Sequence, residues 1–257
     1  MKQSKNFIIS PITIILILIA LIFNRFSFVF LHYLIAFIHE LSHYVMAKIL
    51  KIKVREIQFL PIGFYLKIDD LDLEKLYKQI LVLVAGPLSF FLSMFMIEIL
   101  YKSNIISIYG YQDAKTSNIF ILLFNLLPIY PLDGERIIEA IFTNSLNEYK
   151  LRVFRICISI VSLVIASTFF ITLGEIVTLA FLYFLTIISI VNFNKEYVLS
   201  LIKRLNKKRQ FKVRINSKSE IYRLSDNYQL LNGNILSEEE IIRNIIASEP
   251  FAKEFKQ

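Results

Sequence analysis

Cysteine is almost absent from this chain: Cys157 stands alone among 257 residues. A single thiol excludes an intramolecular disulfide framework and any zinc site built from several thiolates. Glycine and proline are scarce as well, six of each, which excludes collagen-like and low-complexity architectures. Histidine occurs three times, at His32, His39 and His43. What remains in excess is apolar. Hydrophobic residues make up 56% of the chain and the mean hydropathy is +0.58, above the roughly 45–50% of ordinary soluble domains. A membrane-spanning helix needs about 20 mostly apolar residues. The expected fold class is therefore an all-α polytopic membrane protein.

Six apolar runs carry this excess: Phe7–Asn24, Ser27–Leu50, Ile80–Leu100, Asn118–Ile141, Phe154–Leu173 and Ile176–Phe193. The first lacks a small-residue cleavage site and a second run follows almost at once, so it reads as a span rather than a signal peptide. Gly174 and Glu175 alone separate the last two, which predicts a tight helical hairpin. Basic residues in short loops set orientation. They gather before the first run, between the second and third, after the fourth and after the sixth. With six spans this places both termini in the cytoplasm.

The chain then divides into a transmembrane domain over residues 1–195 and a basic cytoplasmic tail or small module over 196–257. From Lys195 to Gln257 there are 13 basic and 8 acidic residues, so +5 of the net +8 lies there. Seven basic residues and no acid lie between Lys203 and Arg214. Directly beside a membrane such a run suits anionic lipid headgroups, and ordinary positive-inside signal explains it equally well. A nucleic-acid partner has no support. Further on, Lys212–Ile221 alternates like a strand, and Ser237 with Glu240 before Ile241 reads as a capping box opening a short helix.

The chemistry concentrates in the second run, as His39-Glu40-Leu41-Ser42-His43. Residues i and i+4 of a helix share one face, so both imidazoles can reach one metal ion. Zinc takes neutral imidazole nitrogen and, in catalytic sites, keeps a position open. Glu40 can then take a proton from an attacking water. Ionisable residues within a bilayer are costly and functional as a rule, which lifts the pentapeptide above a chance match. Two histidines bonded to neighbouring helices are the bland alternative. His32 lies seven residues earlier, ~10 Å along the axis, too far to share the ion; a polar lining or a bond to another helix suits it better.

A third protein ligand is needed, and Glu98, Asp133, Glu135 and Glu139 are the acidic candidates near span depth. Asp133 follows Asn125-Leu126-Leu127-Pro128-Ile129-Tyr130-Pro131-Leu132 and precedes Gly134. Prolines break the helical ladder, and broken backbone at membrane depth is tolerated only where protein or a water-filled cavity covers it. Glu98 sits at the far end of its span and reads as an interfacial carboxylate.

Together these residues resemble the site-2 protease family of intramembrane zinc metalloproteases. The resemblance rests on His39–His43, on Ala85-Gly86-Pro87-Leu88, and on Asn125–Pro128 with Pro131–Arg136, so it covers roughly residues 30 to 140. Size, span number and tail look most like the family's sporulation subgroup, which cleaves the pro-sequence of a sigma factor. The resemblance implies one zinc ion held by His39, His43 and Asp133, with Glu40 as base. It further implies that Asn125 positions substrate and that Gly86, Pro87 and Gly134 support the site. Val54–Ile68, with Pro61 and Gly63 at its middle, looks like the family's membrane-associated β-hairpin, whose edge could pair with an unwound substrate; a plain loop hairpin fits equally well. Departures exist: Glu135 stands where glycine is common, Ser89-Phe90 where an asparagine often follows Gly-Pro, and the tail is too short for a complete nucleotide-sensing CBS domain.

The leading expectation is regulated intramembrane proteolysis of a membrane-associated protein substrate, with regulatory membrane proteins as further partners. A catalytically silent homologue that binds membrane clients is the second. A metal or proton transporter ranks last, because transporters usually carry internal symmetry between halves and none is visible.

Overall fold

The computed structural model describes residues 7–9, 22, 26–60, 63–172, 176–205, 211–231 and 234–248. The chain divides into two compact units, Met1–Leu127 and Pro128–Gln257. Most of the first expected span, Phe7–Asn24, lies outside the described residues, as do Pro61 and the Gly174-Glu175 link. The start of that run is corrected: Phe7–Ile9 is a β-strand, β1.

In the first unit α1 covers Phe26–Ile49. It ends in a Schellman-type turn, with Ile52 N–H donating to the carbonyl of Ala47 at 2.8 Å and Lys51 at φ 58°. Lysine in that left-handed position costs about 1 kcal/mol, so packing of the buried Ile52 must favour the turn. Strands β2 (Val54–Leu60) and β3 (Gly63–Ile68) follow and pair antiparallel. β1 joins the other edge of β2 in parallel, giving the order β1-β2-β3. Helices α2 (Leu76–Lys102) and α3 (Ile108–Leu126) complete the unit, and α1, α2 and α3 pack on one another. Ile35, Ala36, Ile97, Ala114 and Ile121 form their shared core.

The packing of α2 is inverted relative to a water-soluble helix. Ser89 and Ser93 are buried, whereas Leu88, Phe91, Leu92 and Phe95 are exposed. Lipid removes the penalty on exposed apolar side chains, so this face suits hydrocarbon. Among the described residues, Val29–Ile49, Leu76–Lys102 and Glu148–Thr172 are long and apolar enough to cross a membrane. A fourth crossing arises if Thr178–Val191 and Phe193–Leu205, bent by 60°, act as one. The protein is thus an integral membrane protein with three or four such spans among the described residues, beside the six expected.

The expected fourth span, Asn118–Ile141, is not one helix. Leu127 adopts ψ 132°, because a residue before proline is pushed out of the helical region. Helix α3 therefore stops at Leu126, and a new short helix, α4, runs from Asp133 to Phe142.

The second unit contains α4, α5 (Glu148–Thr172), α6 (Ile176–Val191) and α7 (Phe193–Leu205). Strands β4 (Lys212–Asn216), β5 (Ser225–Leu231) and β6 (Asn234–Leu236) form a second three-stranded sheet, parallel between β4 and β5 and antiparallel between β5 and β6. Helix α8 (Glu238–Ser248) closes it. Ile241 and Ile242 of α8 pack with Tyr197 and Leu201 of α7 and with Ile221. The two small sheets qualify the all-α expectation, because strands supply both the hairpin and the tail.

Candidate metal centre

Helix α1 turns His39 and His43 inward. His39 and His43 are 4% and 5% exposed, while Phe37, Leu41 and Val45 between and beside them face outward. One ligand atom from each of His39, Glu40 and His43 falls within a group no wider than 4.8 Å. The two Nε2 atoms lie 3.3 Å apart. Two nitrogens bound to zinc at ~2.0–2.1 Å with a tetrahedral angle between them would be separated by ~3.3–3.4 Å. The imidazole pair therefore already has the spacing that a tetrahedral ion demands.

His43 Nδ1 lies 2.7 Å from the backbone carbonyl of Val82. A carbonyl only accepts, so Nδ1 carries the proton and Nε2 presents its lone pair. That is the orienting role a metal-bound imidazole usually assigns to its second nitrogen. Nothing in the sequence marks this partner, because it is a backbone atom on another helix.

Gly86 explains how α2 comes so close. A Cβ there would overlap His43 Nε2 and stand 2.5 Å from its Cε1 and 2.7 Å from His39 Nε2. Glycine is required by contact at this position. Pro87, next to it and inside the helix, lacks the N–H that would bond the carbonyl of Leu83. A narrow crevice beside His39, too tight for a water, is lined by Ile35, Pro87, Ser89, Phe90, Asn118 and Ile121. Asn118, 2% exposed, donates its amide to the carbonyl of Phe90 at 3.1 Å and so ties α3 to α2.

The other expected residues take separate places. His32 is half-buried on α1 against Tyr33, outside the metal group. Asn125 donates its side-chain amide to the Ile121 carbonyl one turn back at 2.9 Å. Glu98, at the far end of α2, accepts from the Tyr111 hydroxyl at 2.6 Å. In the second unit Asp133 opens α4 and is buried, as are Gly134 and Glu135. A carboxylate in the first helical turn sits where free N–H groups and the helix dipole favour negative charge. The turn ahead of it is held from α5: Tyr130 N–H donates to Ser159 Oγ at 3.2 Å, and the Arg155 guanidinium covers the Tyr130 ring at 4.0 Å.

Residues 27–116 match Peptidase family M50. Stage IV sporulation protein FB of Bacillus subtilis is 30% identical over 117 residues, 46% of this chain and 41% of that one. A zinc metalloprotease of Methanocaldococcus jannaschii is 33% identical over 116 residues, 44% of this chain and 33% of that one. The chain therefore spans less than half the length of these curated relatives. Among solved structures, the site-2 protease from Methanocaldococcus jannaschii matches with a TM-score of 0.53 at 26% identity, covering 69% of this chain and 86% of that chain. The family match contains His39, Glu40, His43, Gly86 and Pro87 and ends before Asn125 and Asp133.

Proposed function

We propose that this chain, whose residues 27–116 match peptidase family M50, is a zinc-dependent intramembrane endopeptidase of that family. The observation that carries the reading is the imidazole pair on a membrane-crossing helix, its Nε2 atoms 3.3 Å apart beneath a glycine that nothing larger could replace.

His39 and His43 would hold the ion through Nε2, with Asp133 as the third ligand. The donor set, two neutral nitrogens and a carboxylate with no thiolate, suits a catalytic zinc. Zinc in such a site polarises a carbonyl and makes a water acidic near neutral pH. Glu40 would accept the proton of the attacking water and return it to the leaving amine. Val82 holds the His43 ring in one tautomer throughout. Asn125 would release its own helix carbonyl to meet the substrate backbone, and Gly134 would let that backbone approach Asp133. Shielded peptide bonds of a helix cannot react, so the substrate segment must be extended. With β2 paired on both sides, the outer edges of β1 and β3 are the edges this sheet offers among the described residues, and an extended substrate segment could pair with one of them.

The substrate would be a membrane-associated protein. The relation to stage IV sporulation protein FB supports a sporulation pro-sigma factor as the candidate, with regulatory membrane proteins as partners, and the basic run Lys203–Arg214 supports anionic headgroups. The distribution of basic loops supports six spans, a boundary near residue 195 and both termini in the cytoplasm, and the antiparallel β2–β3 pair supports the hairpin that the family resemblance places at the membrane surface.

The test is co-expression with a candidate pro-sigma factor, scoring its processing against Glu40→Gln. Full cleavage by that variant would overturn the mechanism. In purified protein about one zinc per chain, lost on His39→Ala, is the parallel expectation. A zinc-loaded, Glu40-dependent protease that ignores the pro-sigma factor would remove only the sporulation assignment.

A further inference from the structure

The helix that begins with Asp133 is gripped from behind by the tail. Arg223, 5% exposed, lies between β4 and β5 of the small C-terminal sheet and reaches two helices at once. Its Nη2 donates to Glu139 Oε1 of α4 at 2.9 Å and to Glu148 Oε1 of α5 at 3.0 Å, while its Nε donates to Glu148 Oε2 at 2.9 Å. Two bonds to backbone carbonyls run beside this bridge. Glu148 N–H donates to the carbonyl of Ile221 at 2.7 Å, and Arg214 donates to the carbonyl of Asn144 in the α4–α5 turn at 3.2 Å. Arg152 and Arg155 of α5 extend the network to Glu196 of α7.

The same sheet is fixed internally by Arg204 at the end of α7. It is buried and donates to the carbonyls of Arg223 and Ser225 and to Glu238. So one of the seven basic residues counted beside the membrane braces the module and does not face headgroups. The carbonyl of Arg223 is held by Arg204 while its side chain holds α4, which makes the segment a rigid strut.

Helix α4 is ten residues long, and Glu139 lies six residues after Asp133, within two turns. A helix this short has little internal stability of its own, so its placement depends on its outside contacts. We propose that the C-terminal module is a positioning element of the metal site, with Arg223 as the positioning residue that, through Glu139, sets α4 and with it the Asp133 carboxylate. This rests on the assignment of Asp133 as a zinc ligand. Ordering or loosening of the tail would then tune the site without touching it.

The experiment uses the full-length protein in detergent or nanodiscs and reads two quantities: zinc affinity by chelator competition, and amide hydrogen exchange over α4 and over β4–β6. Glu139→Ala is the decisive variant, since it removes the arm to α4 and leaves the Arg223–Glu148 arm in place. It should weaken zinc binding roughly tenfold, the scale of losing an outer partner of a metal ligand, and speed exchange in α4 with β4–β6 unchanged. Arg223→Gln should weaken zinc at least as much. Arg243→Gln, in the exposed α8 pair with Glu239, should change neither. A merely structural role would instead speed exchange across the whole module. Zinc affinity within twofold of wild type in Glu139→Ala, whatever α4 exchange does, overturns the proposal if Asp133→Ala loses zinc. Zinc retained by Asp133→Ala overturns the ligand assignment itself, and the two failures are thereby distinguished.

Discussion

His43 is clamped by Val82: the ring Nδ1 and the backbone carbonyl are 2.7 Å apart across two helices. The acceptor has no proton to give, so the protonated nitrogen of His43 is set before any metal arrives. The expected outcome is that His43 populates the Nδ1–H tautomer in both the zinc-free and the zinc-loaded protein. Nitrogen-15 spectra of ring-labelled histidine, assigned by loss of one signal in His43→Gln, read this directly. An Nε2–H signal for His43 in the zinc-free protein would refute it.

Gly86→Ala should abolish zinc loading while the protein still inserts into membranes. The added methyl would fall on the His43 ring and within 2.7 Å of His39 Nε2, and both histidines are fixed by burial. Metal content per chain and membrane extraction behaviour, measured side by side, check it. Normal zinc content would mean that α2 can retreat at little cost.

Glu148→Ala should be among the most damaging substitutions in the second unit. The carboxylate is 3% exposed and accepts from Arg152 at 3.0 Å and from Arg223 at 2.9 and 3.0 Å. Its removal leaves two guanidinium groups buried without it, a loss of about 3–5 kcal/mol. The C-terminal module should become protease-sensitive at temperatures where the wild type resists. Cleavage kinetics with a trace of nonspecific protease measure the change.

Helix α8 should loosen in acid through its capping box. Ser237 donates its N–H and its hydroxyl to Glu240 Oε2 at 2.7 and 2.8 Å, and the hydroxyl also accepts from Glu240 N–H at 3.4 Å. The backbone bond first and the hydroxyl second hold the Glu240 carboxyl below its ordinary value of 4.5. A value depressed by folding means stabilisation present above pH 4.5 and lost as pH falls through the folded value. The protection of α8 amides relative to their intrinsic exchange rates should therefore fall below about pH 4.5. Ser237→Ala should cost about 1 kcal/mol of local stability at neutral pH and flatten that pH dependence. Equal acid sensitivity in the variant would contradict the assignment.

Sequence periodicity made the histidine pair legible because a helix fixes its own geometry: His39 and His43 must share a face wherever the helix goes. The proline pair made the break before Asp133 legible for the same reason, since the backbone of Leu127 answers only to its neighbour. The capping box at Ser237 was equally local. The fourth apolar run misled because hydropathy sums over residues and does not register a helix that stops at Leu126 and restarts at Asp133. The start of the run at Phe7 misled, since Phe7–Ile9 is a strand and strand and helix are indistinguishable in short apolar stretches.

Arg204 and Arg223 were unreadable as anything but charge. Their partners lie 34 and 75 residues away, in Glu238 and Glu148. Gly86 could be suspected from its motif, yet only packing shows that the imidazoles themselves exclude a side chain there. By itself the sequence determined an apolar chain that belongs in a membrane, with any metal confined to histidine and carboxylate because thiolates are missing. The tertiary structure decided which nitrogen of His43 carries the proton, why α2 may approach it, and what grips the helix of Asp133. Those are relations between distant segments, and neither composition nor periodicity carries information about atoms that meet only on folding.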